Sequence, residues 1–267
     1  MAPHSCASAL LLAGRAVHVW VVRIGRAGRV VTRLEPYLSG DEAARAARFR
    51  FDRDRRPFVV ARGILRLLLG RYLGADPAAL RFAYGEHGKP RLATPGPMRF
   101  NVSASGELAV LAFAYNCDVG VDIEAIRHLD DAAGLAEQFF SDREASQLGE
   151  LPERDRAAAF FRGWSRKEAY LKAIGRGLSA PLDTFTVTLR DRVPARLVDV
   201  GGNADAAATW TLHDLGTEPG YAAALAYEDA PRPLRVTVPL DVEQLLDVSA
   251  DRVDRTWPIR GTAGGTT

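Results

Sequence analysis

Three short segments put acidic, basic and hydroxyl side chains at spacings that chemistry can use. In Gly120-Val121-Asp122-Ile123-Glu124 the two carboxylates are two residues apart. On a strand they share one face, while Val121 and Ile123 point to the other. Adjacent carboxylates repel, and hard oxygen donors so placed suit a Mg²⁺ ion between them. Two acids on a solvated edge strand is the plainer alternative; the apolar run Leu108–Tyr115 just upstream argues instead for the end of a buried strand. In Trp164-Ser165-Arg166-Lys167-Glu168-Ala169-Tyr170-Leu171-Lys172, Trp164, Glu168 and Lys172 fall at i, i+4 and i+8. On a helix that is one stripe, which lets Glu168 join a cation site and Lys172 reach a phosphate one turn on. The competing reading is an ordinary exposed Glu–Lys pair. Finally, Gly85-Glu86-His87-Gly88-Lys89-Pro90-Arg91 reads as a turn presenting Lys89 and Arg91. It is followed by Phe100-Asn101-Val102-Ser103-Ala104-Ser105-Gly106, a strand ending in hydroxyls that could help hold an anion. By themselves these two segments fit a hairpin with incidental charges equally well.

The lysines reinforce these positions. Only Lys89, Lys167 and Lys172 stand among the 35 basic residues; the rest are arginine, as the codon bias of a GC-rich genome would produce. Sites that keep lysine against that bias need a compact ammonium rather than a planar fork. All three fall inside the segments above.

The elements that position them follow from periodicity. Val17 to Ile24 is β-rich and predicts a first strand. Ser39-Gly40-Asp41 opens a helix over Ala43 to Phe51, with Ser39 or Asp41 as cap, and Phe58 to Leu73 predicts a second helix. Strands are expected at Leu80 to Tyr84, Met98 to Ser103, Leu108 to Tyr115 and Val119 to Ile123. The second half repeats the order: helices over Leu135 to Gln147 and Ala157 to Ile174, the latter ended by Gly175-Arg176-Gly177, then strands at Phe185 to Leu189, Ala195 to Val200, Trp210 to Asp214 and Tyr221 to Tyr227. Gly106, Ala109, Leu111, Ala112 and Phe113 echo Gly220, Ala223, Leu225, Ala226 and Tyr227. The expectation is an α+β fold of two similar lobes forming a pseudo-dimer, over residues 17–117 and 118–230. Residues 1–16 and 231–267 read as extensions, the last part disordered.

Composition bounds the function. The chain has 267 residues, 47% hydrophobic and 25% charged, with net charge +2. That is ordinary globular composition, long enough for a core without staples. The charge is too balanced for a dedicated nucleic-acid binder. Cys6 and Cys117 make no disulfide framework, and the scattered histidines His4, His18, His87, His128 and His213 form no zinc spacing. No apolar run approaches the roughly 20 residues of a membrane span. Ala7 to Ala13 is apolar but lacks a preceding basic residue, so it reads as a loose extension rather than a signal peptide. A cytoplasmic, monomeric protein is expected.

Taken in order, GKP, FNxSxS, GVDIE, FFSxxE and WSxKEAxxK with a short GxGL after it, the chain resembles the 4′-phosphopantetheinyl transferases of the long, surfactin-synthetase-activating type, over about Val17 to Tyr227. The resemblance implies transfer of the phosphopantetheine arm of coenzyme A to a serine of an acyl- or peptidyl-carrier protein, Mg²⁺-dependent, with release of adenosine 3′,5′-bisphosphate. It implies Asp122, Glu124 and Glu168 as metal ligands and Lys172 as the phosphate contact. Lys89, Arg91, Ser103, Arg45 and Arg48 would hold coenzyme A. Glu144, in Phe139-Phe140-Ser141-Asp142-Arg143-Glu144, matches a family glutamate proposed as the base, with Glu168 or a metal-bound water as rivals. The segment Ile126 to Phe140 is a candidate carrier-docking surface.

One departure stands out: the family's Ser-His-Ser is Ser103-Ala104-Ser105 here. A lost charge-assisted contact costs roughly 1.5–3 kcal/mol, so weaker coenzyme A binding is expected unless Arg91 or Arg45 substitutes. It also keeps open a non-catalytic relative that binds coenzyme A or a carrier. An unrelated Mg²⁺-dependent phosphoesterase would have to reproduce GKP and WSRKEAYLK by coincidence.

Overall fold

The computed structural model describes residues 12, 14–24, 28–177, 180–237 and 239–247. Two lobes follow one plan. In the first, strand β1 (Val17–Arg23) leads into helices α1 (Gly28–Leu34), α2 (Gly40–Ala47) and α3 (Asp52–Leu73), the hairpin β2 (Phe82–Tyr84) and β3 (Pro90–Leu92), then β4 (Met98–Ser105) and β5 (Leu108–Tyr115). In the second, β6 (Val119–Ala125) leads into α4 (Ala132–Phe139), α5 (Asp142–Gly149) and α6 (Glu153–Ile174). The hairpin β7 (Phe185–Val187) and β8 (Leu197–Val200) follows, then α7 (Ala204–Ala208), β9 (Trp210–Asp214) and β10 (Tyr221–Glu228). Sheet order is β1-β5-β4 in one lobe and β6-β10-β9 in the other. β1 against β5 and β6 against β10 are both antiparallel.

The repetition reaches individual side chains. α3 and α6 each run 22 residues and end on a left-handed glycine, Gly74 and Gly175. Ser39 caps α2 and Ser141 caps α5, each in a reciprocal box with Glu42 or Glu144. Both glutamates are buried and meet a cation on the long helix: Glu42 Oε2 accepts from Arg66 Nε at 2.5 Å, and Glu144 Oε2 lies 2.7 Å from Lys167 Nζ. Lys167 also donates to the carbonyls of Leu182 and Phe185. Burial pulls its ammonium pKa down, and the adjacent Glu144 pushes back.

Strand alternation builds the layers. Trp20, Val22, Ala109, Leu111 and Phe113 face the first lobe's helices, while Ala222, Ala224 and Ala226 face α6. The opposite faces, Val17, Val19, Val21, Val110, Val121, Ile123, Leu225 and Tyr227, pack against one another as a third core joining the lobes. Gly120 governs how close α6 comes: a methyl there would overlap the Ala169 carbonyl oxygen and the Ala173 amide nitrogen.

Several expectations are corrected. The helix expected over Leu135 to Gln147 is two helices broken at Phe140-Ser141, because Ser141 caps α5. α3 and α6 each start several residues earlier than periodicity gives, and Pro57 is accommodated inside α3. α1 has no counterpart in the sequence reading. The described residues between 231 and 247 do not form a mere extension. β11 (Leu234–Val236) and β12 (Leu240–Asp241) pair in parallel with β1, and Val242 and Leu245 of α8 (Val242–Asp247) enter the first lobe's core. Residues 1–11, with Cys6, and the tail at 248–267 lie outside the described residues.

Two consequences are measurable. Gly120→Ala pushes α6 off β6 and lowers stability in urea unfolding by about 1–3 kcal/mol or more, as overpacking of a closed interface does. Glu144→Ala strands the Lys167 ammonium in the core and costs about 3–5 kcal/mol in the same assay.

Candidate active site

The site lies at the seam between the lobes, where β4 of the first faces β6 of the second. The two strands do not share a backbone ladder. Side chains replace it: Asn101 Oδ1 accepts from the Val121 amide at 2.9 Å, and Ser105 Oγ accepts from the Ala125 amide at 3.1 Å. Alternation puts Ser103 between them. Its hydroxyl donates to Asp122 Oδ1 at 2.8 Å, and that of Ser105 donates to Glu124 Oε2 at 3.1 Å.

The α6 stripe completes the cleft. Because Gly120 lets the helix approach, Glu168 and Lys172 come over Asp122. Lys172 Nζ reaches Asp122 Oδ1 at 2.6 Å and Ser103 Oγ at 3.0 Å. Asp122, Glu124, Glu168, Lys172, Trp164, Ser103, Asn101, Lys89 and His87 all line one cavity of about 500 Å³. A second cavity of about 690 Å³ adjoins it through Lys89, Pro90 and Gly175, and is lined further by Arg91, Arg99, Phe100 and Asp118.

The carboxylates are short of positive charge. Burial, then Asp122 and Glu124, push Glu168 up to about 7 against the pull of Lys172. Asp122 is raised by burial, and Glu124 by burial and by Asp122. Asp122 Oδ2 and Glu168 Oε1 are buried without a hydrogen-bond partner among the described residues. Three carboxylates therefore share one ammonium, and two oxygens are left over. Among the described residues no three acidic, histidine or cysteine side chains are already drawn together at metal-ligand range. The donor chemistry and the orphaned oxygens nevertheless suit a hard divalent cation.

The remaining expected residues fall in different places. Ser103 lies in the first cavity and Arg91 in the second. Arg45 and Arg48 are exposed on α2 and after it, outside both linings; the Arg45 guanidinium lies over the Phe58 ring instead. Glu144 is not in the cleft. Its side chain is 0% exposed, and its oxygens are taken by the Ser141 amide and hydroxyl, the Val187 amide and Lys167. It is a capping and ion-pair residue with no path to a substrate hydroxyl. The Lys89 ammonium is not free either: it donates to the carbonyls of Ala173 at 2.8 Å and Val119 at 3.2 Å. Sequence reasoning missed Asn101 and Arg99. The polar alternation at 101, 103 and 105 was the available signal for the first; nothing distinguished the second from the other arginines.

Comparison with known proteins agrees with this architecture. Residues 118–226 match the model of the 4′-phosphopantetheinyl transferase superfamily, and residues 31–116 match that of the 4′-phosphopantetheinyl transferase N-terminal region. The chain is 39% identical over 221 residues to the 4′-phosphopantetheinyl transferase HetI of Nostoc sp., covering 81% of this chain and 90% of that protein. It is 32% identical over 232 residues to a phosphopantetheinyl transferase of Thraustochytrium sp., 80% of each chain. Against the 4′-phosphopantetheinyl transferase Sfp of Bacillus subtilis it is 31% identical over 157 residues, 59% of this chain and 69% of the other. With both lobes matched and the acidic seam between them, the chain belongs to the 4′-phosphopantetheinyl transferase superfamily, in its long, two-lobed type.

Proposed function

We propose that this enzyme moves the 4′-phosphopantetheine arm of coenzyme A onto a serine of an apo acyl- or peptidyl-carrier protein, in a Mg²⁺-dependent reaction. The observation that carries the reading is the under-neutralised cluster of Asp122, Glu124 and Glu168 beside Lys172 at the lobe seam. Asp122, Glu124 and Glu168 would hold Mg²⁺, which when bound supplies positive charge against the pyrophosphate. The larger cavity, with Arg91 and Arg99, suits the nucleotide end of coenzyme A.

The protein's own groups then have distinct tasks. Lys172, held by Ser103 and Asp122, is aimed into the cleft as a donor to phosphate oxygens whose charge grows during transfer. The carrier serine oxygen attacks the phosphorus that bears the pantetheine arm. The bond from that phosphorus to the bridging oxygen breaks, and adenosine 3′,5′-bisphosphate leaves with the bridging oxygen. The serine proton passes to Glu168, the carboxyl that lines the cleft, since Glu144 is sealed in the core. Asp122 and Glu124 remain as anchors. The segment Ile126 to Phe140 lies directly after β6; Phe140 is core, stacked on Phe160, whereas Ile126, Leu129 and Phe139 are partly exposed and suit contact with a carrier. Among the described residues no helix is long and apolar enough to cross a membrane. A monomer in the cytoplasm is the setting we assign.

The test is intact mass after incubation with coenzyme A, Mg²⁺ and apo carrier proteins. The carrier gains one phosphopantetheine group, and Asp122→Ala or removal of Mg²⁺ with a chelator abolishes the gain; no gain on any carrier by the folded protein would overturn the reading. The choice of base is tested separately. Glu168→Gln lowers kcat by about 10²-fold or more, as loss of a positioned proton acceptor does. Glu144→Gln, assayed below its melting temperature, keeps kcat within a few-fold; a collapse equal to that of Glu168→Gln would restore Glu144 as the base.

A further inference from the structure

Lys89 sits on the turn between β2 and β3, in the first lobe, yet among the described residues its ammonium bonds only to the second. It donates to the Ala173 carbonyl at 2.8 Å and the Val119 carbonyl at 3.2 Å, with Asp118 Oδ1 at 3.8 Å. Ala173 follows Lys172 in the last turn of α6, and Val119 opens β6, three residues before Asp122. The Ala173 carbonyl is one of those that a helix end leaves without an intrahelical partner. The amides of Gly175 and Arg176 both go to Leu171, so among the described residues Lys89 supplies what the chain after α6 does not. The turn fits against that helix end. A methyl on Gly175 would lie 3.5 Å from Lys89 Cδ, and one on Gly177 would lie 3.4 Å from His87 Cβ. The turn is held by backbone hydrogen bonds: Gly85 N–H donates to the Lys89 carbonyl and Gly88 N–H to the Gly85 carbonyl, with Gly88 at a φ of +81°.

We infer that Lys89 is a positioning residue: it clasps the first lobe's hairpin to the two second-lobe elements that carry Lys172 and Asp122, and so sets the geometry of the cleft rather than gripping a phosphate. A compact ammonium with rotatable donors suits two carbonyls approached from one side, which accounts for lysine in a chain that otherwise uses arginine. The clasp also explains why both cavities end on the same three residues, Lys89, Pro90 and Gly175.

This rests on the transferase reading, and the wild type checks that reading first: without transfer by wild type the reading fails and the clasp is judged on exchange alone. Two measurements then compare wild type with Lys89→Met, and with Lys89→Gln should the first variant not fold. Hydrogen exchange is followed at residues 171–177 in the absence of coenzyme A. Steady-state rates are taken with coenzyme A and with 3′-dephospho-coenzyme A. The clasp predicts faster exchange at that helix end without any ligand. It also predicts a kcat lowered about ten- to a hundredfold by the same factor for both coenzymes, with KM for either moved no more than a few-fold. Unchanged exchange would overturn it. So would a loss that falls on KM, or one seen with coenzyme A and absent with its dephospho form, since each marks a direct phosphate contact.

Discussion

Everything at the seam depends on the distance between α6 and β6. The helix carries the stripe of Trp164, Glu168 and Lys172, and the strand carries Asp122 and Glu124. They make one site only because Gly120 has no side chain to hold the helix away. The close approach has an electrostatic result. It buries Asp122 and Glu168 and half-buries Glu124 beside the Lys172 ammonium; burial and the neighbouring carboxylates push Glu168 up to about 7, and two carboxylate oxygens have no hydrogen-bond partner among the described residues. Packing thus creates a demand for positive charge that the chain leaves unmet, and a divalent cation bound with a pyrophosphate is chemistry that meets it.

Two similar lobes would be expected to carry two similar acidic clusters, and the described residues explain why the first lobe does not match the second. Aligning the ladder ends of the two lobes, Arg23–Leu108 with Ala125–Tyr221, sets Trp20 opposite Asp122 and Val22 opposite Glu124. Aligning the long helices by their terminal glycines sets Leu67 opposite Glu168 and Arg71 opposite Lys172. Trp20, Val22 and Leu67 belong to the apolar core, and Arg71 donates to the Leu245 carbonyl of α8. The outer edge of β1 is covered by β11 and β12, whereas β4 serves the matching edge of β6 through side chains. One edge is closed by backbone; the other is left wide enough for a ligand. The buried pairs Glu42–Arg66 and Glu144–Lys167 are the part of the plan that both lobes keep.

How much of this could be read from the residues depended on whether the signal was local. The carboxylate pair on β6 and the α6 stripe were legible because strand and helix periods alone put each set on one face. The repeated order of elements was legible from strand patterns and from the glycines that end α3 and α6. The role of Glu144 was not. The motif around it resembles a catalytic segment, but the capping box with Ser141 and the partner on α6 are contacts that only the packed fold creates. Lys89 stood out by its residue type, but its carbonyl partners Val119 and Ala173 were not legible, because they are far away in sequence. The return of the chain to β1 after residue 230 was illegible for a related reason. β11 and β12 are short parallel edge strands, held by a partner more than two hundred residues upstream rather than by a pattern of their own.

We propose that the seam holds one divalent cation on the carboxylates that Lys172 leaves under-neutralised. Calorimetric titration of Mg²⁺ into the protein saturated with coenzyme A tests it most directly. The account predicts one Mg²⁺ per chain, and loss of that binding in Asp122→Asn while the protein stays folded. No binding to the wild type, or the same binding after Asp122→Asn, would contradict it.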